Sequence, residues 1–236
     1  MTLGVEGCKN YKKMTRFDKS TTLAQISATG LVPLFTHNDL DLCLGVLRAC
    51  YEAGVRVFEF TNRTENSYNN FVELVKIAET EMPEMILGIG TIYDTVTAQK
   101  FVDAGTNFIV APVMNPKVGK VCQAAGIPWM PGVMTVTEIY NARVAGAEFI
   151  KIFPGDVVGA GFVKALKSGP MPDVQIMVTG GVSPTEESLK LWFEAGTTAV
   201  GIGSQLVPKA VLASKDWSKV TEIVGNALRI IREIHL

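Results

Sequence analysis

A short phrase recurs along the chain: EAGVRVFEF (52–60), DAGTNFIVAP (103–112), QAAGIPWMP (123–131), VAGAEFIKIFP (144–154) and EAGTTAVGIG (194–203). Each sets a small residue and a glycine before an apolar run. The glycines, Gly54, Gly105, Gly126, Gly146 and Gly196, are 51, 21, 20 and 50 residues apart, so two gaps hold one unit and two hold a doubled unit. The doubled gaps contain MILGIG (85–90) and QIMVTG (175–180), and GLVPLF (30–35) supplies one more, which makes eight. Short runs rich in Val, Ile and Phe without lasting alternation mark strands buried on both faces of a parallel sheet. Helical patterns lie between them, as in DLDLCLGVLRACYEAG (39–54), where Leu40, Cys43, Leu44 and Leu47 share a face and glycine closes the helix as a C-cap. Eight strand-helix units at ~25 residues each predict an α/β fold, a closed (β/α)8 TIM barrel, whose usual size of ~250 residues suits this chain.

Residues 1–20 lie outside the repeat and read as a solvated tail; 21–236 read as a single barrel domain, opened by an extra helix at about 20–29 that caps the barrel floor. The tail carries Lys9, Lys12, Lys13, Arg16 and Lys19 against Glu6 and Asp18, and Met14 is an alternative start. With 47% hydrophobic and 19% charged residues the composition supports one large core. A net charge of −1 makes phosphodiester backbones poor partners and leaves small anions open, so no nucleic acid is expected. No run approaches a membrane span or a secretory leader, which predicts a cytoplasmic protein without a membrane partner. Cys8, Cys43, Cys50 and Cys122 show neither metal-finger nor redox-motif spacing and read as reduced core thiols.

In such a barrel the chemistry gathers at the carboxyl ends of the strands. Lys151, in FIKIFP (149–154), places an amine among Phe149, Ile150, Ile152 and Phe153, where desolvation favours the neutral, nucleophilic form able to make a Schiff base with a ketone. The competing reading is a lysine that merely pairs with Glu59. Val57, Glu59, Thr61 and Arg63 share one strand parity, which turns Glu59 and Arg63 inward, a carboxyl to move protons and a guanidinium fork for a carboxylate. Thr91 adds a hydroxyl. TGGVSP (179–184) and GIGS (201–204) are glycine turns after strands seven and eight, the common phosphate site of these barrels. A metal is disfavoured. Of two histidines His235 is penultimate and only His37 stands near a strand end, and Asp156 alone could join Glu59 as a carboxylate ligand.

Over residues 22–208 the chain resembles the 2-keto-3-deoxy-6-phosphogluconate (KDPG) and 4-hydroxy-2-oxoglutarate (KHG) aldolase family of class I aldolases. The resemblance is carried by EFTNRT (59–64), GIGT (88–91), PGVMTVTE (131–138), KIFP (151–154), TGGVSP (179–184) and GSQLVP (203–208). It implies Lys151 as Schiff-base lysine, Glu59 as acid and base, Arg63 and Thr91 on the pyruvyl carboxylate, and Phe153 and Pro112 as pocket walls. Thr179, Gly180, Gly181, Gly203 and Ser204 would hold a distal phosphate. It further implies a homotrimer without cofactor, acting on a small keto acid. KDPG cleavage to pyruvate and glyceraldehyde 3-phosphate is the expected reaction, with KHG or the galactonate-derived epimer as alternatives. A non-catalytic sugar-phosphate sensor is the alternative of another class. The chain departs from the family at APV (111–113) with Met114 and Asn115, at Gly155, and at Phe35-Thr36-His37, positions expected on the aldehyde side.

Overall fold

The computed structural model describes residues 15–234. Cys8, His235 and most of the tail read from the sequence, including Met14, lie outside them. Helix α1 (Lys19–Thr29) leads into β1 (Leu31–Phe35), α2 (Leu40–Glu52), β2 (Val57–Thr61), α3 (Ser67–Glu81), β3 (Ile86–Gly90), α4 (Thr95–Asp103), β4 (Ile109–Val110) and α5 (Pro116–Ala125). Then come β5 (Trp129–Met130), β6 (Gly132–Val133), α6 (Val136–Val144), β7 (Phe149–Ile152), α7 (Gly155–Val158), α8 (Ala160–Ser168), β8 (Gln175–Thr179), α9 (Glu186–Glu194), β9 (Ala199–Ile202), α10 (Lys209–Ser214) and α11 (Trp217–Ile234).

All pairings are parallel and the order runs β5-β4-β3-β2-β1-β9-β8-β7-β6. Nine strands stand where the repeat predicts eight, because proline divides one of them. Pro131 has no N–H for the ladder, yet its carbonyl still accepts from Lys151 N–H at 3.0 Å, while Met130 O accepts from Ala111 N–H at 3.0 Å. The two ends of the sheet are therefore halves of one interrupted strand, and the chain itself closes the barrel at Pro131.

The five repeat glycines all take positive φ, +103, +90, +70, +93 and +98 in chain order, a region in which a Cβ is strained. That is why the phrase recurs: these five turns from helix to strand use it, whereas the turn before β3 has no glycine and Gly169 after α8 has φ −127. Gly54 stands one residue beyond the C-cap of α2, which is Ala53.

Strand parity divides the core in two. Inside the barrel lie Val32, Val57, Ile86, Phe108, Val110, Met130, Phe149, Met177 and Ala199, whereas Phe58, Phe60, Ile150 and Ile152 face the surrounding helices. Helix α1 closes the floor as expected: Asp18 caps it by accepting from Thr21 N–H, and fully buried Ile26 joins the interior cluster with Leu23 and Phe17 against it. Ile26→Ala should therefore cost about 2–5 kcal/mol, as for other buried Ile truncations. A shift of the urea midpoint at unchanged slope would show it, and a variant as stable as wild type would mean that the helix rests on the floor without sealing it. Cys43 and Cys50 pack on the buried face of α2, and burial pushes their thiols up to about 11 and about 12; Cys122 is likewise raised to about 12. All three are free and buried.

Candidate active site

Above the apolar floor the barrel interior changes character. Two residues along β2 from Val57 stands Glu59, and two along β7 from Phe149 stands Lys151, 1% and 3% exposed. On one side of each the cross-strand neighbour is glycine, Gly88 beside Glu59 and Gly132 beside Lys151, with Leu34 and Met177 on the other sides. A Cβ on Gly90 would overlap the Glu59 carboxyl, and one on Gly132 would overlap the Pro112 carbonyl. Gly90 thus leaves the volume that the Glu59 carboxyl occupies, whereas Gly88 makes room for the Phe108 ring.

Burial pushes the Glu59 carboxyl up, opposed by the charges of Lys151 and Arg63. Burial also pulls the Lys151 amine down, opposed by Glu59 and reinforced by Arg63. Both groups are driven toward their neutral forms. Oε2 of Glu59 is buried without a hydrogen-bond partner, and so is the Thr179 hydroxyl. Such orphans are rare in a finished core; among the described residues Asn107 Nδ2, Trp129 Nε1 and Thr197 Oγ1 share the condition, away from the cavity. Lys151 Nζ lies 5.1 Å from the centroid of the Phe153 ring.

A cavity of about 480 Å³ opens next to this pair; Thr61 and Phe153, two residues along the chain from Glu59 and Lys151, line it, while Glu59, Lys151 and Thr91 lie behind the lining. Its wall is made by five adjacent strands: Phe153 follows β7, Thr179 to Val182 end β8, Gly201 to Ser204 end β9, Leu34 to Thr36 end β1, and Thr61 with Arg63 ends β2. Lys151 and Glu59 sit on the two outermost of these strands, one inward-facing position deeper. Arg63 Nε donates to the Thr91 hydroxyl at 3.1 Å, and Thr91 holds φ +67, a left-handed conformation that costs energy in a threonine. The two residues read as a carboxylate clamp are thereby joined, from loops 28 positions apart.

All five residues of the predicted phosphate turn line the cavity. Gly181, at φ +71, also gives room to Asp156, whose Cβ a side chain at 181 would overlap. Phe35 and Thr36 reach the cavity, but His37 turns away, its Nδ1 accepting from Asp39 N–H at 3.0 Å. Pro112 is outside the cavity lining, set against Gly132 on the far side of the barrel. Gly155 is buried where a Cβ would meet Val178 and the Gly180 carbonyl, so it serves the approach of α7 to the β8 turn. Thr36 was expected there, whereas the sequence reading passed over Gln205, Val207, Lys209 and Leu212, which also line the wall. The signal was the segment SQLVPK (204–209), from which the turn residues alone were taken.

A parallel barrel that buries an amine and a carboxyl on facing strands, beside a cavity rimmed by glycine turns, has the layout of an α/β-barrel enzyme. The KDPG and KHG aldolase family model matches residues 23–223, and the chain belongs to that family. It is an aldolase, a carbon–carbon lyase, which sets aside the non-catalytic reading. The 2-dehydro-3-deoxy-phosphogluconate aldolase of Pseudoalteromonas atlantica is 30% identical over 91% of this chain and 97% of its own length. The KHG/KDPG aldolase of Escherichia coli K12 is 31% identical over 88% of this chain and 95% of its own. Among solved structures, the KDPG aldolase of Legionella pneumophila, holding pyruvate as a covalent carbinolamine, superposes with a TM-score of 0.78 at 25% identity, covering 86% of this chain and 96% of that one.

Proposed function

We propose that the enzyme cleaves KDPG to pyruvate and glyceraldehyde 3-phosphate, with Lys151 as nucleophile and Glu59 as the proton carrier. The observation that carries this reading is the pairing of two desolvated groups of opposite kind, one with an unpartnered oxygen, directly beside the cavity. The Lys151 lone pair attacks the C2 ketone, and the neutral Glu59 carboxyl gives up its proton to the carbinolamine hydroxyl, which leaves as water; the products are a protonated imine and the Glu59 carboxylate. Glu59 then takes the C4 hydroxyl proton as the C3–C4 bond breaks, and the bond's electrons pass into the imine to give an enamine and the aldehyde. Returning that proton to C3 and hydrolysing the imine releases pyruvate and restores both groups. The protonated imine is the electron sink, so the step needs no further cofactor. The carbinolamine held by the Legionella relative is the adduct preceding such an imine.

Arg63 and Thr91 would take the pyruvyl carboxylate, with Phe153 against the methylene. Thr179, Gly180, Gly181, Gly203 and Ser204 would receive the phosphate through backbone N–H groups and hydroxyls. KHG cleavage is the second reading, supported by the combined name of the E. coli relative. A coupled assay for pyruvate release on both substrates decides between them. Because a side chain at 181 would collide with Asp156, exposed Ser204 is the better probe. Ser204→Asp sets a carboxylate against the phosphate, and like charges in contact cost several kcal/mol, so kcat/KM for KDPG should fall about 100-fold. KHG, with no phosphate, should lose far less; equal losses would mean that the turn does not read phosphate.

We also assign the enzyme to the cytoplasm, as a homotrimer. No helix among the described residues is long and apolar enough to cross a membrane. Tyr93, Val96, Val113, Met134, Val136 and Tyr140 are exposed on and after the loops that follow β3, β4 and β6. So much apolar surface on neighbouring loops favours association of copies.

A further inference from the structure

We propose that Lys209 sets the enzyme's preference for a substrate ending in a phosphate ester, by placing a cation at the cavity mouth. This builds on the reading above, in which the keto acid end of the substrate faces Lys151. The groups so far assigned to the far end, backbone N–H groups and the hydroxyls of Thr179 and Ser204, are all uncharged. A phosphate monoester brings a charge of about −1.5 to −2 at neutral pH, which such donors bond but do not neutralise.

Among the residues lining the cavity, Arg63 and Lys209 are the only charged side chains, and none is acidic. Arg63 is held on the β2 side by its bond to Thr91, leaving Lys209 on the β9 side, with β1 between the two strands. Its root is fixed. Leu206 and Val207 are buried, Leu206 N–H donates to Gly203 O at 2.9 Å, and Leu212 N–H donates to Pro208 O at 3.0 Å, so the segment joining the phosphate turn to Lys209 is anchored on both sides. None of the ion pairs formed by the described residues includes Lys209. An exposed, unneutralised ammonium on a rigid rim, sharing its loop with Ser204, discriminates by charge where the glycine turns discriminate by shape.

The test compares wild type, Lys209→Met and Lys209→Arg on KDPG and on 2-keto-3-deoxygluconate, the same carbon chain without phosphate, at low and high salt. The ratio of kcat/KM for the two substrates should fall about tenfold in Lys209→Met, the scale of one charge-assisted contact, mostly through KM. Lys209→Arg should restore most of it. The decline of KDPG kcat/KM with added salt should also flatten in the Met variant. A ratio and salt dependence shared by all three proteins would overturn the role of Lys209 while leaving the aldolase reading intact. A wild type that cleaves neither substrate would overturn both.

Discussion

Pyruvate and borohydride together should add one reduced pyruvyl group to the wild-type protein, located at Lys151, and Lys151→Met should take up none. Borohydride traps an imine, and an imine forms only from a neutral amine. Most surface lysines are protonated at neutral pH, whereas burial holds the Lys151 amine down in a site that also contains Glu59 and Arg63. Loss of a covalent nucleophile should lower cleavage by a factor on the order of 10⁴ or more. The same substitution removes a desolvated amine from a nearly dry position and puts an apolar chain of similar length in its place, so thermal stability should hold or rise. Activity and stability then move in opposite directions, which separates loss of chemistry from loss of fold. An adduct on another lysine, with cleavage intact in the variant, would move the nucleophile elsewhere.

Glu59→Gln should divide proton transfer from carbon–nitrogen chemistry. The amide keeps the carboxyl's shape over Gly90 and loses its basicity, so cleavage should slow by about 100- to 10,000-fold, the usual worth of a general acid and base. Exchange of the pyruvate methyl protons into deuterated water should slow at least about tenfold, while borohydride still traps an adduct at Lys151. Exchange at the wild-type rate would make Glu59 a structural partner of the lysine. The raised Glu59 and lowered Lys151 pKa values also fix a direction in pH. The neutral amine is depleted as the solution becomes acidic, so the trapping rate should fall with falling pH, and it should do so below the range in which a free lysine loses nucleophilicity. Parallel time courses of adduct mass against pH measure this.

The barrel was legible because its reason is local. A glycine of positive φ serves most of the returns from helix to strand, so Gly54, Gly105, Gly126, Gly146 and Gly196 wrote the period into the chain. The inward placement of Glu59 and Lys151 was legible for a similar reason: strand parity alternates by single residues, and Val57 and Phe149 already announce the interior face. Motif order then carried the site as far as the glycine turns. The division of one strand at Pro131 was visible as a residue, but its consequence was not, because it depends on which carbonyls of β5 and β6 still find donors on β4 and β7.

What the tertiary structure alone decided is how far each loop reaches. Phe35, Thr36 and His37 are consecutive, yet the first two line the cavity while the third bonds back to its own loop. Pro112 follows a strand as the phosphate turns do, yet stands on the half of the barrel opposite the opening, since β4 is not among the five strands that surround it. Arg63 and Thr91 meet across two loops, and Lys209 comes to the rim because buried Leu206 and Val207 pin its segment. These outcomes turn on contacts between residues distant in the chain and on loop directions that no periodicity encodes. The amino-acid sequence by itself determined the repeat, the face and the buried amine and carboxyl; the closing of the strands around one shared space determined which side chains line the cavity.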